Sequence, residues 1–277
     1  MILFGHSVTL DPVSENLVTV VAGMFVLFTD FGFNGPYVGQ MKAVLHGAVP
    51  GMPVIDLMHD APPFDPQSCA YLLAALVGEF PKGAVFLTVV DPGVGTDRRA
   101  LVVEADGRWF VGPDNGVLAL LTRRSGTVRA WEITWRPRRL SASFHGRDLF
   151  APVAAGIARE GTFAGAAKGA EIAPAGVDRP KWPDEFEQIV YIDAFGNLIS
   201  GLRAEKLSPN HRILVHNVEI KGETTFASVP PGTLFWYANS NGLVEIACNR
   251  GRADQRLDIE VGAAIDVRGN QTVTVST

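Results

Sequence analysis

Two short polar clusters between Val90 and Asp148 carry residue types suited to handling a small nucleophile. The first, Asp91-Pro92-Gly93-Val94-Gly95-Thr96-Asp97-Arg98, follows directly on the apolar run 84–90. The second is Phe144-His145-Gly146-Arg147-Asp148. Brought together, they would set a carboxylate, a guanidinium and an imidazole around one point. No thiol, serine nucleophile or metal cage stands beside them, so the set suits the orientation and polarisation of water. A third cluster, Thr29-Asp30-Phe31-Gly32, ends the first strand-like run and would complete the pocket.

Plainer readings stand next to these. Asp91 could merely cap a loop, and Asp148 could be the N-cap of a following helix with His145 as an ordinary loop residue. Gly93-Val94-Gly95 lacks the third glycine of a dinucleotide fingerprint and the Gly-Lys-Ser/Thr of a P-loop, so it reads as a tight turn exposing Asp91. Asn239-Ser240-Asn241-Gly242 lacks the first glycine of a nucleophile elbow and reads as a hairpin turn or a polar ligand-binding turn. Asp193-Ala194-Phe195-Gly196-Asn197 is likewise a turn by composition. It also pairs a carboxylate and an amide with an aromatic, a combination that suits a nucleobase or amino-acid ligand.

The elements that must position these groups follow from periodicity. Residues 24–28, 54–58, 84–90, 101–104 and 128–133 are predicted strands, and 37–49, 67–80 and 148–159 predicted helices, with Asn34 and Pro36 suiting the first helix start. Alternation of the two implies an α/β layer with a mainly parallel sheet. Ligands of such sheets sit outside the carboxyl ends of the strands, where Asp30 and Asp91 fall. After Gly169 the texture changes: prolines at 174, 180 and 183 mark a linker. Short alternating runs at 188–192, 212–216, 233–237, 244–247 and 272–275 then predict an all-β module of sandwich or barrel type. The expected plan is an N-terminal α/β domain over 24–170, a linker over 171–186 and a smaller C-terminal β domain over 187–277.

Bulk properties narrow the function classes. The chain has 277 residues, 47% of them hydrophobic and 19% charged, with a net charge of −5 and scattered basic residues. A nucleic-acid partner is therefore not expected. Cys69 and Cys248, the two cysteines, have no CxxC spacing, which argues against a zinc site or disulfide framework and fits a reducing cytoplasm. No apolar stretch reaches the length of a membrane span. Residues 1–23 lack the features of a signal peptide and read as an irregular arm, or as sequence preceding a start at Met24.

Together the clusters resemble those of the S-adenosyl-L-methionine (SAM) hydroxide adenosyltransferases, or SAM hydrolases, and of their fluorinase and chlorinase relatives. The matching residues are Thr29-Asp30-Phe31-Gly32, Asp91-Pro92-Gly93-Val94-Gly95, Gly112-Pro113-Asp114-Asn115-Gly116, Phe144-His145-Gly146-Arg147-Asp148, Asp193 with Phe195-Gly196-Asn197, and Asn239-Ser240 with Gly242. They occur in family order from about Met24 to Arg250. The resemblance implies an α/β domain followed by a small β domain, and cleavage of SAM at the ribose C5′ with methionine leaving.

The resemblance further implies that Asp91, Arg98 and His145 position and activate water, with Arg99 the alternative arginine. In that scheme neutral His145 would accept a proton while Asp91 orients its partners, although the residue taking the proton stays open. Asp30 would bind the ribose hydroxyls, with Phe31 in the same cluster. Asp193 and Ser240 would hold the methionine part, and Phe195, Asn197 and Phe226 would face the adenine. Asn241 stands where the fluorinase carries an arginine. The halogenating relatives have tyrosine at the position of His145, and at that of Gly146 the fluorinase has serine and the chlorinase glycine. His145 thus favours water over halide. The family's sites lie between subunits of a homotrimer, with no metal and no cofactor beyond the substrate. The alternatives are halide transfer to the same carbon and a non-catalytic SAM or adenosine sensor.

Overall fold

Strand β1 (Phe25–Thr29) is buried along its whole length, as an unbroken apolar run requires of a strand covered on both faces. The computed structural model describes residues 23–163 and 169–269. Helix α1 (Tyr37–Ala48) starts behind Pro36, buries Met41 and Leu45 one turn apart, and ends just before Pro50. Strand β2 (Val54–Met58) leads to α2 (Pro66–Leu76), whose N-cap Asp65 accepts from the Ser68 amide at 3.1 Å. The helix predicted to run to residue 80 tightens instead into a 3₁₀ turn at Val77–Glu79.

Strand β3 (Val85–Val89) is also fully buried. It is followed by a hairpin of β4 (Ala100–Ala105) and β5 (Arg108–Pro113), of which only part of β4 was predicted. Its turn residues Asp106 and Gly107 both have positive φ, the conformation an Asp-Gly hairpin turn adopts. Then come α3 (Ala119–Arg124), β6 (Val128–Ile133), a single π-turn at Gly146–Phe150, α4 (Ala151–Glu160) and β7 (Gly169–Ile172). Asp148 therefore sits inside the π-turn and is not the N-cap of α4.

These strands form one seven-stranded sheet in the order β2-β1-β3-β5-β4-β6-β7. The β2, β1, β3 and β5 strands are mutually parallel, β4 and β7 run the other way, and β6 returns to the majority direction. Helices α1 and α4 cover one face through Met41, Leu45, Ala154 and Ile157. Helices α2 and α3 cover the other through Cys69, Leu72, Leu73 and Leu121. From β1 the chain passes to β2 on one side and to β3 on the other. The switch point of this topology therefore lies between the carboxyl ends of β1 and β3.

The C-terminal region is antiparallel throughout its two sheets. Strands β8 (Phe186–Ile192), β9 (Leu198–Arg203), β10 (Arg212–Val215), β11 (Val218–Lys221), β12 (Leu234–Ala238), β13 (Leu243–Cys248) and β14 (Asp266–Arg268) form the orders β12-β13-β9-β8 and β11-β10-β14. A short helix, α5 (Ala253–Leu257), closes their core of Ile189, Leu198, Ile213, Val244 and Ile246. The strand predicted at 272–275 and the arm at 1–22 lie outside the described residues.

Residues 171–186, expected as a linker, begin inside β7 and are tied down along their course. Arg123 binds the Asp178 and Asp184 carboxylates and the Arg179 and Trp182 carbonyls, and the Tyr71 hydroxyl donates to the Pro183 carbonyl.

Candidate active site

At the switch point the registered pair Thr29 and Val89 ends the adjoining strands, so the next residues of each chain leave the sheet side by side. Asp30 and Asp91 are delivered there. The Asp91 loop is folded by its own bonds: Val94 N–H donates to the Asp91 carbonyl at 3.2 Å, and Thr96 returns both its amide and its hydroxyl to the Gly93 carbonyl. Gly95 has φ +82°, and a Cβ there would stand 2.6 Å from the Ala142 carbonyl oxygen. Glycine is thus required where this loop meets the segment leading into His145.

The turn brings Arg98 back onto Asp91. The guanidinium grips the carboxylate with two donors, Nε to Oδ1 at 2.6 Å and Nη2 to Oδ2, and the two side chains are 9% and 5% exposed. Nη2 also reaches His145 Nδ1 at 3.1 Å, and the Phe150 ring lies beneath the guanidinium. The carboxylate, guanidinium and imidazole expected from sequence are therefore together. Arg99 faces away, bound to Asp114 and the Gly176 carbonyl, so Arg98 is the arginine of the cluster.

The hydrogen-bond polarity fixes the imidazole. An arginine can only donate, so Nδ1 must be the accepting nitrogen and the neutral ring carries its proton on Nε2. Burial and the neighbouring Arg98 hold the His145 pKa below the ordinary imidazole value, with Arg136 adding to this and Asp91 and Asp148 opposing it. In this state the ring offers a donor and has no free lone pair. In this arrangement Nε2–H is the group the ring leaves free.

A cavity of about 400 Å³ opens over this set, lined by Asp30, Phe31, Tyr37, Phe64, Asp91 and His145 among others. Burial, and then the Asp91 charge, push the Asp30 carboxyl above its ordinary pKa, while the Phe64 amide, donating to Oδ2 at 3.3 Å, pulls the other way. Phe31, Tyr37 and Phe144 form an aromatic wall with ring centroids 5.2–5.8 Å apart. Tyr37 and Phe64 were missed from sequence. Their signal was an aromatic beside Pro36, at the first turn of α1, and another in the loop after Pro62-Pro63, both with exposed rings.

The remaining expected residues gather elsewhere. Asp193, Phe195, Asn197, Phe226, Ser240 and Asn241 all line a second cavity of about 810 Å³ in the C-terminal region, and among the described residues none lines both cavities. Two hairpin turns build it. In the β8–β9 turn, Asp193 Oδ1 accepts from the amides of Phe195 and Asn197, and Oδ2 from the Asn197 side chain, which leaves Phe195 76% exposed. In the β12–β13 turn, Asn239 accepts from the amides of Asn241 and Leu243 and presents Ser240. Both turns are thus structural and line a cavity at once.

Glu245, missed from sequence, is 5% exposed on this second cavity. It accepts from Tyr237 at 2.5 Å and from Asn239 at 3.0 Å. A lone carboxylate in the apolar run 243–248 was its available signal. Among the described residues no group of three or more His, Cys, Asp or Glu is gathered as metal ligands, and no helix is long and apolar enough to cross a membrane.

Comparison with known proteins matches both regions of the chain. Residues 25–167 match the SAM hydroxide adenosyltransferase N-terminal domain and residues 187–266 its C-terminal domain. An (R)-S-adenosyl-L-methionine hydrolase of Thermus thermophilus is 37% identical over 259 residues, covering 86% of this chain and 96% of that protein. A fluorinase of Nocardia brasiliensis is more distant, 22% identical over 88% of this chain and 96% of its own length. The crystal structure of an uncharacterized conserved protein from Thermotoga maritima superposes with a TM-score of 0.76 at 30% identity, covering 89% of this chain and all of that one.

Proposed function

Because the chain belongs to the SAM hydroxide adenosyltransferase family, we propose that it hydrolyses SAM at the ribose C5′, releasing adenosine and L-methionine. The observation that carries this reading is the half-buried Asp91–Arg98–His145 set beside a cavity that Asp91 and His145 line, the histidine being the residue that, by the resemblance, favours water over halide. The sulfonium of SAM departs as a neutral thioether, so no general acid is needed. The demand falls on the water and on its alignment behind C5′.

His145 Nε2–H donates to the water oxygen, leaving a lone pair for C5′. As the O–C5′ bond forms, the C5′–S bond breaks and its electron pair stays on sulfur. The attacking oxygen meanwhile becomes an oxonium-like acid, far stronger than any carboxylic acid. Asp91, though paired to Arg98, is therefore basic enough to take its proton and pass it to solvent. Arg98 holds Asp91 and the imidazole in one geometry. Arg98 beside a cationic substrate would be unfavourable alone, and Asp30, Asp91, Asp193 and Glu245 offset it.

In the same reading Asp30 takes the ribose hydroxyls, against Phe31. Asp193 and Ser240, with Asn241, hold the methionine part, and Phe195, Asn197 and Phe226 face the adenine. The reaction needs no metal and no cofactor. The α/β domain spans 24–170 and the β domain 187–277, joined by 171–186. Since the two cavities share no lining residue, a homotrimer whose sites join one subunit's first cavity to a neighbour's second gives both halves a use. Such an enzyme works in the cytoplasm, where SAM is made.

Incubation of the purified protein with SAM is expected to yield adenosine and methionine in equal amounts. Added chloride or fluoride should give no 5′-halo-5′-deoxyadenosine. Folded protein that releases no adenosine at any pH would overturn the reading, and tight calorimetric binding without turnover would mark a sensor instead.

A further inference from the structure

Behind Asp30 lies a polar chain that the reaction does not use. Thr29, the last residue of β1, is fully buried, and its Oγ1 stands 2.8 Å from His59 Nδ1. His59 follows β2, is 1% exposed, and sets Nε2 3.0 Å from Asp56 Oδ1. The other Asp56 oxygen pairs with Lys42 of α1 at 2.6 Å. The Phe31 amide in turn donates to Thr29 Oγ1 at 3.3 Å.

Every bond in the chain is satisfied by one tautomer. Phe31 N–H donates to Thr29 Oγ1, Thr29 O–H to His59 Nδ1, and His59 Nε2–H to Asp56, which Lys42 neutralises. The residue types are those of a nucleophile–histidine–carboxylate triad. A hydroxyl with no exposure, lying behind the cavity wall, cannot attack a substrate. The chain therefore positions.

What it positions is the loop that carries Asp30. The Gly32 amide donates to the His59 carbonyl at 2.6 Å, the Ala61 amide to the Thr29 carbonyl at 3.2 Å, and the Phe64 amide to Asp30 Oδ2. The β1–β3 ladder holds Thr29 opposite Val89, but the β1–β2 ladder slips register between Leu27 and Phe28, so pairing with β2 does not fix the loop on that side. The His59 side chain supplies a pin just beyond that slip. Asp30, whose charge is disfavoured by burial and by Asp91, is kept facing the cavity by this frame.

We infer that the Asp56–His59–Thr29 chain, buried at Thr29 and His59 and open to solvent at Asp56, is a positioning device for Asp30, and that recognition of the ribose hydroxyls depends on it. The inference rests on the reading of Asp30 as the ribose-binding carboxylate. It is tested with SAM and its 2′-deoxyribose counterpart, measuring kcat and KM for both on folded His59→Phe, Thr29→Val, Thr29→Ser and Asp56→Asn variants. The wild type is expected to prefer SAM in kcat/KM by at least about tenfold.

His59→Phe and Thr29→Val should each raise KM for SAM about tenfold, leave kcat within about threefold, and bring the preference close to unity. The double variant should be no worse than either alone. Thr29→Ser keeps the hydroxyl and should keep the preference. Asp56→Asn alters the outer end of the chain, where folding is least at risk, and should weaken the preference partially.

A His59→Phe enzyme that retains the preference, or loses activity equally on both substrates, overturns the positioning role alone. If His59→Phe and Thr29→Val do not fold, an unweakened preference in Asp56→Asn overturns it. A wild type indifferent to the 2′-hydroxyl overturns the reading of Asp30, and this inference with it.

Discussion

A guanidinium that donates to both a carboxylate and an imidazole does more than hold them in place. It decides which nitrogen of His145 can serve the reaction. Protonation of His145 would put a proton on Nδ1, against the Arg98 donor, and break the contact. His145 has a pKa held below the usual imidazole range, so kcat should be flat through neutral pH and fall as pH drops through that lowered value. If His145 donates to water, His145→Gln, which keeps an N–H donor, should lose about tenfold in kcat and flatten the acid limb. His145→Ala should lose about 10²–10⁴-fold. Equal losses in the two variants would return the imidazole to the role of base. Asp30 titrates above the ordinary carboxylate range, so KM for SAM should rise on acidification at a higher pH than an unperturbed aspartate would give.

At the scale of elements the glycines that let strands and loops meet are the sensitive points. A Cβ on Gly112 of β5 would lie 2.4 Å from the Thr88 carbonyl of β3. Gly112→Ala is therefore expected to force two core strands apart and cost roughly 2–4 kcal/mol, lowering the melting midpoint by about 5–10 °C. Gly95→Ala should leave the melting midpoint within a few degrees while cutting kcat/KM at least about tenfold, because the strain falls on the loop that carries Asp91 and Arg98.

What was legible in the sequence divides along the same line. The buried strands β1 and β3 and the helix α1 announce themselves by apolar runs and 3.6-residue spacing. The β4–β5 hairpin was half hidden because Arg108, Trp109 and Gly112-Pro113 break the apolar pattern of β5, although Asp106-Gly107 carried the turn signal. The β9 strand was missed because Ser200 and Gly201 interrupt it at the point where Gly201 packs against Phe186. The composition of Asp91, Arg98 and His145 was readable. The direction of their hydrogen bonds was not, since polarity depends on which atoms face each other across 47 residues of sequence.

For the whole molecule the telling feature is that the two cavities are separate. If each site joins one subunit to the next, an Asp91→Ala subunit and an Asp193→Ala subunit fail for different halves. Co-expressed in equal amounts, they should regain activity at about a quarter of the wild-type sites, whereas either alone stays inactive. Differently tagged subunits purified over both tags give the mixed assemblies, and no recovery in them would place both halves in one subunit. The sequence marks the members of both halves by residue type and order, yet it does not reveal that they line different cavities.

The crowding at Gly146 ties the space beside His145 to helix α1. A Cβ there would meet Met41 Sδ at 3.1 Å, Phe144 Cε2 at 3.3 Å and Phe31 Cζ at 3.4 Å. A side chain at 146 therefore requires the Met41 side chain to give by a few tenths of an ångström. A smaller side chain at 41 on α1 would relieve that contact and open room at 146, next to His145.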